Sequence, residues 1–418
     1  MEKRKNSLYL FYLFTYFFYL NHIIEVKAQN DSAVVFSLKD LYASMREHHP
    51  LVKAIRQKPI IAQQELLVAK GNFDPKLNVD YSQKSLKDKF YYSYWDSHLK
   101  IPSWIGELKA GYELNEGALL SEDSKTPEQG LLYAGISVPL GQNLLIDARR
   151  ASLKQARIAI QLSEAEQTKE LNKLFLQASK DYWEWYLKYN ELILSKLAYD
   201  LAQKRFDFIK QRIAFGEAAG IDSVEAKITF QERSIQLQQS QVSFNNTTLL
   251  ISNYLWKDDT PMLLPEGAIP QQAEGLSQSN LNELLEFAQK NHPELQKIRF
   301  KMAQLDIERR FRADRLKPSV NLSYNLLSPY QNFSVNEASF NKNYKIGVQA
   351  DFPLFLRKER GKLKQVGLKQ QQNNWELSQN QREIETELKR IFNELQLLEQ
   401  NIALQREIVD NQDKMRKA

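Results

Sequence analysis

Between Asp147 and Ala214 the chain contains neither proline nor glycine. Apolar residues recur through this stretch at three- and four-residue steps: Leu171, Leu174, Phe175, Ala178, Tyr182, Trp185, Tyr186, Tyr189, Ile193, Leu197, Leu201, Ile209 and Ile213. That spacing is a helical seam of the kind that winds one helix on another. At about 1.5 Å per residue the helix is a rod of about 100 Å, far beyond the core of an ordinary globular domain. The rod must end at Phe215-Gly216-Glu217-Ala218-Ala219-Gly220-Ile221, where two glycines permit a reversal. Asp222 followed by Glu225 is expected to cap a second helix, running back from Ser223 to about Trp256. The centre of the chain is therefore a long helical hairpin.

The N-terminus carries Lys3-Arg4-Lys5 and then an apolar stretch from Leu8 to Leu20, the two leading parts of a secretory signal. Val26-Lys27-Ala28 places small residues for cleavage after Ala28, so residues 1–28 are expected to be removed on export. The rest contains no run of 18 apolar residues, which excludes a membrane-spanning helix by composition. With no cysteine, disulfides, thiolate metal sites, a thiol nucleophile and a lipidated N-terminal cysteine are excluded as well. If the protein sits in a membrane, strands must hold it there. The net charge of +6 is modest for 418 residues and is read as a solvated basic surface, not as a nucleic-acid interface.

Residues 38–81 align with 281–324 without a gap. Leu38, Leu41, His49, Pro50, Ile55, Arg56, Lys58, Glu65, Pro75, Asn78 and Tyr81 recur as Leu281, Leu284, His292, Pro293, Ile298, Arg299, Lys301, Glu308, Pro318, Asn321 and Tyr324. The chain reads as a tandem duplication, with repeats over 29–256 and 279–418 joined by a Pro- and Gly-rich linker over 257–278. Each repeat opens with a short helix, and a proline then starts a second helix (one that Pro59 is expected to kink in the first repeat).

The period then changes to two. Leu77, Val79 and Tyr81 alternate with polar residues, as do Leu132, Ile136 and Val138, then Val320, Leu322 and Tyr324, then Ile346, Val348 and Phe352. These four strands have one apolar and one polar face and approach the roughly 9–11 residues of a tilted membrane strand. Between them lie aromatic-rich stretches, Phe90 to Trp95 with Trp104, and Tyr330, Phe333 and Phe340, suited to a membrane–water boundary. Lys109–Gly117 is a further strand candidate with no assigned place. Four strands are too few to close, so several copies are needed, and three would give about twelve.

These features, with His-Pro helix starts, Pro-Leu strand ends at Pro139-Leu140 and Pro353-Leu354, and the turn Phe-Gly-Glu-x-x-x-x-Asp, resemble the TolC-like outer membrane efflux proteins. The resemblance implies a mainly helical protomer with membrane strands, three copies forming a twelve-stranded barrel in outer membrane lipid and a helical tube in the periplasm. It further implies a passive conduit that works with a periplasmic adaptor and an inner-membrane pump or ABC exporter, without a cofactor. The hairpin tip, Phe215, Gly216, Gly220, Ile221, Asp222 and Ser223, would be the adaptor contact. Matching the second long helix to the first places Ala418 opposite Phe208, so the second hairpin tip of the family has no counterpart here.

Two other readings carry less. A periplasmic adaptor also has a long hairpin, but its flanks are small Gly-rich β domains, not paired strands of membrane length. For an enzyme, the histidines His22, His48, His49, His98 and His292 offer no metal-ligand spacing and are expected as helix caps or surface groups. No phosphate-binding loop or hydrolase motif is present.

Overall fold

The computed structural model describes residues 34–272, 280–330 and 343–417. The expected signal segment, Phe333, Phe340, Ala418 and part of the linker fall outside them. The chain divides into two units, residues 1–49 with 178–273 and residues 50–177 with 274–418.

The first unit holds a short strand β1 (Val35–Phe36), helix α1 (Leu38–His48), the distal part of the long helix α3 (Ala148–Ala214) and its return helix α4 (Gly220–Ser252). Three two-residue strands complete it: β6 (Trp256–Lys257), β7 (Thr260–Pro261) and β8 (Ile269–Pro270). The 67 residues of α3 match the stretch without Pro or Gly. Ser37 caps α1 through a reciprocal pair with Asp40. The core forms where α1 meets the hairpin and buries Leu41, Met45, Ala178, Tyr182, Trp185 and Ile251 almost completely. Trp185 satisfies its indole N–H on Thr248 Oγ1 at 2.9 Å, and Tyr182 donates to the Phe36 carbonyl at 2.9 Å. Both large rings are therefore buried without leaving a polar atom unpaired.

Toward the tip the hairpin is closed by smaller or stacked groups: Ser195 against Ser240 at 2.8 Å, and Phe230 beside Tyr199 and Phe206. The expected seam holds at Ala178, Tyr182 and Trp185 and departs toward the tip. Ser195 and Ala202 are buried, whereas Ile193, Leu197 and Leu201 face outward, because small side chains let the two backbones approach.

The second unit holds α2 (Pro50–Gly71), α5 (Leu281–Asn291), α6 (Pro293–Asp314), α7 (Arg357–Lys417), the proximal part of α3 and a single sheet. Helix α2 runs unbroken through Pro59. Corresponding elements of the two halves have equal lengths: 11 residues for α1 and α5, and 22 for α2 and α6. Leu295, Ile298 and Leu305 of α6 and Val366 of α7 are buried, and Asn373 of α7 donates to the Ile298 carbonyl.

The sheet contains six strands where four were expected: β2 (Lys76–Leu86), β3 (Lys89–Pro102), β4 (Glu107–Glu116), β5 (Leu131–Pro139), β9 (Ser319–Pro329) and β10 (Tyr344–Asp351). Their order is β10-β9-β5-β4-β3-β2, antiparallel throughout. The aromatic stretch Phe90 to Trp95 is thus part of strand β3. Its tyrosines fall on both faces and mask the period of two. The further candidate at Lys109–Gly117 finds its place as β4. Phe352 lies one residue beyond the last paired position, Asp351 with Ser319. Pro353, which has no N–H to offer a ladder, follows it.

Candidate functional site

Residues opposite one another in a sheet share a face, so the register assigns every side chain. Ile346, Tyr324, Ile136 and Leu108 lie in one row across β10, β9, β5 and β4, with Ile101 of β3 continuing it. Val348, Leu322 and Val138 lie in the next row, and Leu326, Ala134, Ala110, Leu99 and Leu77 in another. Val79, Tyr81, Leu132 and Val320 share this face. Every predicted membrane-strand residue except Phe352 therefore lies on one apolar face. Among the described residues Leu77, Val79, Leu99, Leu108, Ile346 and Val348 of that face are all exposed, while those of β9 are half-buried.

The opposite face is mainly polar, with Leu131 and Leu327 as exceptions. Asn78 and Asp80 of β2 face His98 and Asp96 of β3, and Lys109, Gly111 and Glu113 follow on β4. Tyr133 and Gly135 occupy β5, Asn325 and Ser323 occupy β9, and Lys345, Gly347 and Gln349 occupy β10. Tyr133 donates its hydroxyl to Asp96 Oδ1 at 2.7 Å, Asp96 Oδ2 lies 3.1 Å from His98 Nδ1, and His98 Nε2 lies 3.2 Å from Asn78 Nδ2. His98 is therefore buried in a strand network and is neither a cap nor a surface group as expected. Asp80, Asp96 and His98 lie close enough together to suggest a cation site. Both His98 nitrogens, however, already have partners in the sheet.

Where the sheet meets the helices, one buried cation organises the chain. The Arg150 guanidinium donates to the carbonyls of Leu144 at 2.8 Å, Trp104 at 3.1 Å and Asn143, and to Asp147 Oδ1 at 3.2 Å. Asn143 takes φ of 69° and gives its N–H to Asp314 Oδ2 at 2.6 Å, and Asp314 also pairs with Lys317. Asp147 accepts the Arg150 backbone N–H at 2.8 Å. Burial pushes the Asp147 carboxyl up, but the Arg150 N–H and the charges of Arg150 and Arg149 outweigh it and hold the group below its ordinary value. Segments far apart in sequence meet here, which is why periodicity gave no sign of it.

The predicted tip residues are contiguous between α3 and α4. Phe215 and Ile221 are 80% and 71% exposed. Gly216 has φ of +77°, a conformation costly for any residue with a Cβ, and closes on the Ile213 carbonyl at 2.9 Å. Helix α4 begins at Gly220, earlier than expected, with Asp222 and Ser223 inside its first turn. Asp222 acts from that first turn by accepting the Ala219 N–H at 3.2 Å, not as the N-cap itself.

Sequence reading missed a pattern on the outside of this hairpin. Leu187, Leu194, Leu201 and Phe208 on α3 with Phe215 just past its end, and Ile221, Ile228, Ile235, Val242 and Leu249 on α4, are all exposed, each set spaced by seven. The spacing of seven was the available signal. Each set is a heptad stripe whose side chains stay exposed among the described residues. Among the described residues no helix is long and apolar enough to cross a membrane.

No protein-family model and no curated protein matches the sequence. Solved structures do match it. The CmeC outer membrane channel of Campylobacter jejuni is 12% identical, with a TM-score of 0.52 over 82% of this chain and 67% of that one. The outer membrane protein VceC of Vibrio cholerae is 14% identical, with a TM-score of 0.54 over 83% of this chain and 75% of that one. The open MtrE outer membrane channel of Neisseria gonorrhoeae is 14% identical, with a TM-score of 0.51 over 83% of this chain and 70% of that one. The chain thus has the fold of the TolC-like outer membrane channels.

Proposed function

We propose that this chain is one protomer of a homotrimeric outer membrane channel, a passive conduit from the periplasm to the exterior. The observation that carries the reading is the sheet: one face mainly apolar, exposed on β2, β3, β4, β5 and β10 and half-buried on β9, the other mainly polar, with an unpaired strand at each edge among the described residues. In water such a face would drive aggregation, whereas in lipid it is solvated. An unpaired edge in lipid leaves backbone groups without partners, so the wall has to close. Six strands fall short of the roughly eight that the smallest single-chain barrels use, and closure therefore calls for sister copies. The two heptad stripes suit the same assembly, since each fits the groove of a neighbouring helix.

By analogy with the fold, the helical portion stands in the periplasm, and the hairpin tip at Phe215, Gly216, Gly220, Ile221, Asp222 and Ser223 meets a periplasmic adaptor. An inner-membrane pump or ABC exporter would drive the cargo, and the channel itself would carry out no chemistry. Cell fractionation followed by detergent extraction tests the reading. The protein is expected in outer membranes as a trimer. A single copy in the soluble fraction would refute it.

A further inference from the structure

Strands β3 and β4 form a hairpin between β2 and β5, and three observations make it part of the sheet's fabric. The first is pairing. β2 bonds along its length to β3, and β5 bonds to β4 from Glu107↔Ser137 to Glu113↔Leu131, so β2 and β5 do not touch. Without the hairpin the sheet is cut in two. The second is pattern. Trp95, Leu99, Leu108, Ala110 and Leu114 continue the apolar face, and Asp96, His98, Lys109 and Glu113 continue the polar one. The hairpin keeps this two-faced pattern from Trp95 to Ile101 and from Leu108 to Leu114, with Ser97 the one small polar residue on the apolar side.

The third is a polar thread across four strands. The Tyr133 ring of β5 lies over Gly111 of β4, where an added Cβ would come within 2.7 Å of it. Its hydroxyl passes beyond to Asp96 of β3, and His98 carries the connection to Asn78 of β2. Gly111 is glycine because the ring needs the space. A hairpin that peeled away from the wall would break the two bonds of the thread that cross to β5 and β2, leaving only Asp96–His98 within β3.

The two edges of the sheet also match. With six antiparallel strands, β2 and β10 run in opposite directions, so β10 of one copy can continue the antiparallel ladder onto β2 of the next. The apolar residues Val79 of β2 and Val348 of β10 then fall on the same side.

We propose that β3 and β4 are staves of the barrel wall, so that three copies close through β2–β10 contacts into eighteen strands. The inference rests on the trimeric channel reading above. Barrel diameter grows roughly in proportion to strand number, so this wall has about 1.5 times the girth of a twelve-stranded one. Barrels of about that size hold an open aqueous lumen, which suits an outlet that passes bulky cargo.

The chain has no cysteine, so introduced thiols report without background. Leu99→Cys and Leu108→Cys probe the apolar face of the hairpin, and Glu113→Cys the polar face, in native outer membranes. Labelling of Glu113→Cys by a charged, water-soluble maleimide, with loss of that labelling at Leu99→Cys and Leu108→Cys, is expected. The double variant Val79→Cys with Val348→Cys, or with Ile346→Cys should the register slip by two, is expected to form disulfides between copies up to the trimer. Equal labelling of both hairpin faces, while Ile136→Cys and Ile346→Cys stay protected, overturns the inference and leaves the channel standing. Labelling at those two positions as well would bring down the channel reading itself. Should a variant fail to insert, strands counted in a cryo-electron microscopy map of the unmodified detergent-extracted protein decide the matter: eighteen supports the proposal and twelve overturns it.

Discussion

The sheet and the helical hairpin both turn apolar residues outward, but with different periods. In the sheet most alternate residues are apolar, and rows such as Ile346, Tyr324, Ile136 and Leu108 merge into a broad surface. On the hairpin the exposed set is two narrow stripes of period seven, with charged and polar residues between them. A broad surface calls for a solvent, and hydrocarbon is one that meets it anywhere. A narrow stripe calls for a partner of matching period, which is another helix. The same chain thus asks for lipid at one region and for protein at the other.

Charging the apolar face should have the largest effect. Val348→Arg puts a guanidinium toward lipid at a cost of about 2–4 kcal/mol per copy near the bilayer midplane. The cost recurs in every copy of an assembly. We expect the variant to be lost from outer membranes by fractionation, while Gln349→Arg, one residue away on the polar face, inserts normally. Equal tolerance of the two would erase the distinction between the faces.

Next comes the hairpin. Leu194→Ser with Leu201→Ser removes two stripe residues that are 64% and 59% exposed in the single chain. If a neighbouring helix covers them, each loss costs about 2–3 kcal/mol of association. Trimers should dissociate at lower temperature on semi-native gels, while a single copy keeps its helix content by circular dichroism. Unchanged trimers would mean that the stripe meets water or something other than a sister copy.

Smaller effects are expected at the tip. Gly216→Val forces a β-branched residue into positive φ at a cost of about 1–2 kcal/mol, whereas Gly220→Val meets open space and ordinary helix geometry. Replacing both should impair export and leave trimers in the membrane. Export at the normal rate would remove the tip from the docking assignment.

The smallest effect concerns His49, whose ring lies near Tyr254 and Trp256. Burial pushes its imidazole below its ordinary value of 6.5. The unfolded chain then takes up a proton near pH 6.5 while the folded one resists it, so stability is complete above that pH and declines as pH falls below it. Melting temperature should fall from pH 7 to 5, and His49→Gln should flatten the slope.

Periodic signals were legible in the sequence, and signals of place were not. The bounds of α3 follow from the absence of Pro and Gly, and the strands around Val79, Ile136, Leu322 and Val348 follow from clean alternation. Strand β3 was hidden because Tyr91, Tyr92, Tyr94 and Trp95 give both faces similar hydropathy. The hairpin seam was read correctly at Ala178, Tyr182 and Trp185 but out of phase toward the tip, where Ser195 meets Ser240 and leaves Leu197 and Leu201 outside. The ring of carbonyls around Arg150 and the Tyr133–Asp96–His98–Asn78 thread depend on segments that only folding brings together.

The most direct test of the central claim is the mass of the purified full chain, measured with and without detergent. The account predicts a complex of three copies that holds together in detergent and aggregates when detergent is removed. A single copy that remains monodisperse in water would show that the apolar face of the sheet is covered from within the chain, contrary to everything inferred from it here.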